Sequence, residues 1–297
     1  MYCETGVKLF MDTFLQACVN GLMIGGFYSL MGMGQNIIFG VMKIINFCHG
    51  EMLMVGMYLT YVLYTYCGID PYLALPLVAL IMFIAGGLIQ HTLITPSLGT
   101  KSFTNLLFLT VGLGTLLSNL AQVIFSADYR TLTTSYSANV LNLGPVTIGV
   151  PKLVSFAVLI VITIALFFFL QYTPIGKKIR AVSQNPLGAQ VVGIDSKAIY
   201  IITYGLGAAL AGVAGGLLTL FYVINPTAGA SFGFRALIVV VVGGLGSIPG
   251  AFFAGILLGL METLVSLFIG PSLKTLVVFA AFIIILVIRQ NLKLRRA

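Results

Sequence analysis

Charge is what this sequence has least of. Of its 297 residues only 7% are Asp, Glu, Lys or Arg, against about 25% in an ordinary soluble domain. Such a chain cannot cover a water-facing surface with polar groups, which excludes a conventional soluble enzyme. Histidine is limited to His49 and His91, too few for a His-based metal cluster. The four cysteines, Cys3, Cys18, Cys48 and Cys67, show no CxxC spacing and read as small apolar fillers rather than ligands or disulfides. No HExxH is present, and no GxxxxGK[ST]. The nearest approach, Gly176-Lys177, lacks the earlier glycine and the hydroxyl residue, so ATP hydrolysis is not expected on this chain. Residues 1–12 carry Glu4 and Asp12 and lack a basic n-region, and no small-residue cleavage site follows. The first apolar run therefore reads as a retained span and not as a signal peptide.

What is abundant is apolar sequence: 59% of residues are hydrophobic and the mean hydropathy is +1.10. Segments 13–33, 50–67, 72–94, 103–125, 151–171, 199–224, 249–269 and 273–289 are long enough to cross a bilayer. Two more, 35–49 and 233–248, are short, each holding a basic residue and ending in turn-forming chemistry. Irregular backbone survives at membrane depth only where protein or a water-filled cavity receives its polar groups. The expectation is a single all-α polytopic transmembrane bundle over residues 1–297, with about eight full spans and two short broken or re-entrant helices. YGLGAALAGVAGG (204–216) and AGILLG (254–259) place small residues on successive turns, which lets helix backbones approach closely in lipid.

The formal charge of +8 comes from basic residues at the ends of apolar runs, without the aromatic interleaving of a nucleic-acid patch. They orient the chain: the loop 173–197, with Lys177, Lys178, Arg180 and Lys197, and the tail, with Arg289, Lys293, Arg295 and Arg296, should face the cytoplasm. Counting both short segments as crossings puts both termini there too, and leaves Arg130, Lys152, Arg235 and Lys274 outside. The polar stretch 126–150 reads as an external lid or docking loop, or as a passive connector.

Charges inside the bilayer are functional suspects: Lys43, Glu51, Arg235 and Glu262. Asn46, His49, Gly50 and Glu51 form the densest polar cluster. His-Gly marks a break where these groups can line a polar cavity. Glu51 reads first as a cap on the following helix through its dipole, and alternatively as a proton relay with His49. Glu262 has no assigned role. The run VVVVGGLGSIPG cannot be a regular helix throughout. Gly243, Gly244, Gly246 and Ser247 form either a hinge or backbone-lined substrate site, or a tight cytoplasmic turn. In the loop 173–197, apolar Ile179, Val182, Ala189 and Val192 recur at near-helical spacing, which points to a helix docking on another protein rather than lying on the membrane surface.

INFCHGEMLMVGMY (45–58), GKKIRAVSQNPLGAQVVGI (176–194) and VVGGLGSIPGAFFAG (241–255), in this order and spacing, resemble the membrane permease subunit of branched-chain amino acid ABC transporters. Urea and short-amide permeases are close relatives of that family, and sugar permeases more distant ones. The resemblance runs from about residue 12 to the C-terminus. It implies the pore-forming half of an ATP-driven importer in a bacterial or archaeal inner membrane. The implied partners are a second homologous permease, two cytoplasmic ATPases that carry the ATP and Mg, and an extracytoplasmic solute-binding protein; no cofactor is implied on this chain. It also implies that the loop is the coupling helix, with Gly176, Arg180, Ala181, Gly188 and Gly193 at its patterned positions. Cys48 departs from the family pattern, where a small residue, usually Ala, is common. Two other classes stay open: an ion-coupled secondary transporter, which would work alone, and an intramembrane enzyme, for which no catalytic pair stands out.

Overall fold

A computed structural model describes residues 2–98 and 103–294. Lys101, Arg295 and Arg296 lie outside the described residues, as do the side chains of Cys3, Arg289 and Lys293. The chain is almost wholly helical. Its first helix, α1 (Tyr2–Met42), is 41 residues long, about 60 Å at 1.5 Å per residue and twice the hydrocarbon thickness. A non-helical stretch, 43–48, leads to α2 (His49–Cys67). Next come α3 (Pro71–Ile89), which continues through a π turn (Gln90–Ile94) into α4 (Thr95–Leu98), and then α5 (Phe103–Phe125). A hairpin, β1 (Val140–Leu143) and β2 (Val146–Gly149), precedes α6 (Val150–Tyr172). The short helices α7 (Pro174–Gln184) and α8 (Pro186–Val191) fill the basic loop. The chain ends with α9 (Ser196–Leu218), α10 (Ala228–Gly243), α11 (Ile248–Phe268) and α12 (Lys274–Leu294).

Among the described residues six helices are long and apolar enough to cross a membrane: those at 10–42, 71–98, 104–125, 150–172, 196–218 and 248–268. Two shorter apolar helices, at 228–243 and 274–285, accompany them. One expectation is corrected. Segment 35–49 is not a separate broken helix: residues 35–42 complete α1, and only 43–48 leave helical geometry. Nothing at Gly34-Gln35 breaks the ladder, because Gly34 packs beneath the His49 ring rather than turning the chain. α1 therefore runs the full depth from the end bearing the hairpin to the end bearing α7. The expected placement of both termini on one side falls with that segment.

α9 forms the centre, buried over 83% of its apolar window, whereas α5 is buried over 17% and turns Phe108, Leu116 and Val123 outward. α1 and α11 run antiparallel in close contact, Gly21 against Leu260, Gly25 against Ile256 and Gly255 against Ser29. α2 meets α9 in the same way, Gly56 on Gly212 and Gly215 on the Leu53 carbonyl. Lipid tails are as apolar as the side chains, so close approach supplies the attraction that water would otherwise provide.

The 126–150 stretch is a folded strap. Gln16 exchanges two hydrogen bonds with the Thr147 backbone at 2.9 and 2.8 Å, and Val146 and Ile148 pack on Met23. Arg130 and Ile224 exchange backbone bonds, and the Tyr136 hydroxyl donates to Asp70 at 2.8 Å. Burial, with the Asp70 carboxylate beside it, pushes the Tyr136 hydroxyl above the ordinary phenol range and keeps it a donor. Of the cysteines, Cys48 is buried, Cys18 is half-buried and Cys67 is exposed, all as free thiols.

A Cβ at Gly259 would overlap the Gly25 backbone, while one at Gly112 meets nothing within 4 Å. Gly259→Leu is expected to force α1 from α11 and cost about 1–3 kcal/mol or more, read as loss of a monodisperse, heat-resistant protein in detergent. Gly112→Ala should leave the melting temperature unchanged or slightly raised.

Candidate functional site

The break at 43–48 is held by side-chain amides. Lys43, at φ 58°, ends α1. Gln35 Nε2 donates to the Asn46 carbonyl at 3.1 Å, and the Asn46 side-chain oxygen accepts from Cys48 N–H at 3.1 Å. α2 then opens with Glu51 in its first turn, where the helix dipole favours a carboxylate. Glu51 and Asn46 line a cavity of about 330 Å³ between α2, α5 and α10, together with Gln35, Thr115, Asn119 and Phe234. His49 faces the other way. It is buried at 1% exposure, and its Nε2 lies 3.1 Å from the Met31 carbonyl of α1. The structure does not join His49 and Glu51 into a relay. Gly50 is a packing residue, since a Cβ there would overlap the Gly229 carbonyl.

The second break, after Gly243, lies elsewhere. Gly244 and Gly246 adopt φ of 98° and 85°, a region that side chains with a Cβ avoid. Asn36 of α1 clamps the turn. Its Nδ2 donates to the Gly244 and Ser247 carbonyls at 3.0 and 2.6 Å, and its Oδ1 accepts from Gly246 N–H at 2.6 Å. The Ser247 hydroxyl accepts from Gly250 N–H and starts α11, with Pro249 in the first turn. Gly246 and Ser247 border a separate cavity of about 260 Å³, closed by the ends of α1 and α6 and by α7. Gly243 packs on Gly250 and Ala251. Of the expected substrate-path residues, Asn46 and Glu51 share one cavity, Gly246 and Ser247 another. Asn36 was missed, although an Asn beside a Gln inside an apolar run was a signal available in the sequence.

In the basic loop, Thr173 caps α7 and Asn185 caps α8, the latter through Gly188 N–H at 2.9 Å. Gly176 is pressed on Phe169 and Leu170 of α6, and Gly193 takes φ 81° after α8. The apolar spacing has a different use from the one expected. Ile179, Val182 and Ala189 are buried within this chain, because the loop folds back on the bundle. The outward apolar residues are Leu187, Val191 and Val192, 75%, 87% and 74% exposed; of the four positions read as a docking face, only Val192 is outward. Arg180 turns back to the Gln171 carbonyl at 3.0 Å and to the Gln171 side chain. Ala181, half-buried, accepts the Asn185 N–H at 3.0 Å. Ser183 donates to the Gly40 carbonyl at 2.7 Å, tying α7 to the end of α1.

This arrangement has known relatives. The family described as "Branched-chain amino acid transport system / permease component" matches residues 17–287. The chain belongs to that permease family. The permease is 30% identical over 291 residues to the high-affinity branched-chain amino acid transport system permease protein BraD of Pseudomonas aeruginosa, covering 94% of each chain. It is 30% identical to the corresponding LivH protein of Escherichia coli, covering 93% of each. A ribose import permease protein, RbsC of Haemophilus influenzae, is 26% identical, with 74% of this chain and 68% of that one covered. The chain is thus a multi-pass membrane permease component and not itself an enzyme.

Elsewhere in the permease, Glu262 has a structural role. Its carboxylate, 3% exposed, meets Arg235 Nε at 2.7 Å and Lys274 Nζ at 3.0 Å, and accepts from the Tyr28 hydroxyl at 2.9 Å. Arg235 also stacks over the Tyr28 ring. The cluster joins α1, α10, α11 and α12.

Asn36→Leu removes all three bonds to the 244–247 turn while keeping bulk. Of the three partners only Gly244 is buried, and leaving its carbonyl unpaired costs about 1–3 kcal/mol, so a fall in detergent melting temperature is expected, with faster hydrogen exchange at 244–250.

Proposed function

We propose that this permease imports branched-chain amino acids (leucine, isoleucine and valine) by alternating access within an ATP-driven complex. The observation that carries the reading is similarity along nearly the whole chain to permeases named for that transport. The cavity at Glu51 agrees with it, since Phe47, Phe234 and Leu237 supply apolar walls around a few polar groups, the usual make-up of a small-solute site. In this reading the basic end faces the cytoplasm. Two ATPases bind ATP and Mg there and hydrolyse the nucleotide, a second homologous permease completes the membrane unit, and a solute-binding protein delivers cargo at the hairpin end. ATP drives the cycle only insofar as the inward and outward states bind nucleotide and solute with different affinity.

Reconstitution with those partners should give ATP-dependent uptake of labelled leucine, and the permease alone should give none. Uptake by the lone chain under an ion gradient would favour a secondary transporter. Uptake of ribose or urea in place of leucine would move the substrate class.

The exposed Leu187, Val191 and Val192 are the proposed contact with the ATPase. Placing a charge at the centre of an apolar contact costs at least the 2 kcal/mol of a hot spot. Leu187→Asp with Val191→Asp should therefore weaken ATPase capture by about 30-fold or more, without changing the melting temperature of the permease. Unaltered co-purification and uptake would remove α8 from the coupling surface.

A further inference from the structure

The cavity at Glu51 presents a carboxylate with no cation paired to it among the described residues. Among the described residues no Lys, Arg or His stands within ion-pair distance of the Glu51 carboxylate; the ion pairs present belong to Glu262. Gln35, 3% exposed, spends its Nε2 on the Asn46 carbonyl, and its Oε1 is buried without a partner. The neighbouring hydroxyls donate to backbone, Thr115 to Val111 at 3.0 Å and Ser118 to Pro226 at 2.9 Å, and Asn119 spends one of its two N–H groups on the Thr115 carbonyl at 2.7 Å. A carboxylate lining a cavity, with an unpaired amide oxygen buried in the wall behind it, asks for a ligand that is positively charged and carries N–H donors. Phe47, Phe234 and Leu237 on the same wall ask for an aliphatic body behind that charge.

We infer that Glu51 and Gln35 form a binding subsite for the primary ammonium group of the transported solute, and so select amino acids over neutral solutes such as sugars. The inference rests on the importer reading above and adds the group that is recognised. The competing account is that Glu51 only caps α2. Glu51→Gln removes the charge in both accounts, so they separate on the ligand: a carboxylate that only favours the α2 dipole gives an amine no advantage over a carboxylic acid in occupying the cavity.

Two measurements on the assembled transporter test it. In proteoliposomes, Glu51→Gln should lower leucine uptake by about 30-fold or more, the effect of removing one member of a desolvated charge pair, and Glu51→Asp should recover part of it. Undiminished uptake in Glu51→Gln would overturn the proposal. The second measurement reads occupancy directly. With Cys3, Cys18 and Cys67 replaced by Ser and only the buried Cys48 kept, Thr115→Cys puts a reactive thiol on the cavity wall. 3-Methylbutylamine, which keeps the ammonium and lacks the carboxylate, should slow labelling of that thiol, whereas 4-methylpentanoate, which keeps only the carboxylate, should not. Glu51→Gln should abolish the protection. Equal protection by both compounds, or by neither, would overturn the subsite. A wild-type complex that carries no leucine would instead defeat the importer reading, while the labelling comparison would still judge the subsite.

Discussion

Hydrocarbon offers no hydrogen-bond partner, so wherever a helix breaks at membrane depth the protein must supply one. Each unpaired peptide group would otherwise cost several kcal/mol. Two adjacent residues of α1 meet part of that demand. Gln35 serves the break at 43–48 through the Asn46 carbonyl, and Asn36 serves the turn at 244–247 through three bonds. Consecutive positions on a helix point about 100° apart, which lets one turn of α1 reach two breaks on different sides. The ability of this chain to interrupt α1–α2 and α10–α11 rests in part on those two amides.

Close packing makes the amides effective. An Asn side chain is short, and Asn36 reaches the turn only because α1 lies almost in backbone contact with α11. The same closeness joins α2 to α9 and to α10, where Gly50 rests on Gly229 and Gly233. Gly50 thereby turns α2 so that Glu51 faces α5 and the cavity while His49 faces α1. The helix period explains why sequence neighbours two apart serve different surfaces: about 200° separates them.

Much of this was legible in the sequence. The long apolar runs gave α3, α5, α6, α9 and α11 to within a few residues, and the Gly-Pro chemistry at 243–250 located a true turn. The loop 173–197 was recognisable as helical from its apolar spacing. The direction of its apolar face was not, because near-helical spacing specifies a stripe and not its partner; here the bundle itself claims Ile179, Val182 and Ala189. The start of α2 was legible at His49-Gly50, but the length of α1 was not, since Gly34 looks like a breaker until the His49 ring is seen beneath it. Glu262 stayed opaque because its cations, Arg235 and Lys274, come from two other helices, and no local pattern announces a contact across such separations.

The two membrane carboxylates now divide by partner. Glu262 meets two cations and a phenol within one chain and fastens four helices, so moving it would break several charge-assisted bonds at once. Among the described residues Glu51 has no ion pair and it lines a cavity, the condition under which a charge can interact differentially with something that comes and goes. Between them runs α1, which contacts Glu262 through Tyr28, both helix breaks through Gln35 and Asn36, and the α7 loop through the Gly40 carbonyl. In the proposed cycle a push on α7 therefore reaches α1 through that bond, and α6 through the Gly176 contact. A close-packed helix moves as a body rather than bending, so that push shifts the wall of the Glu51 cavity together with the 244–247 turn. On α1 the Glu262 anchor at Tyr28 lies midway between the hairpin contact at Gln16 and the α7 contact at Gly40, so in that cycle it is the point about which the α7 end swings.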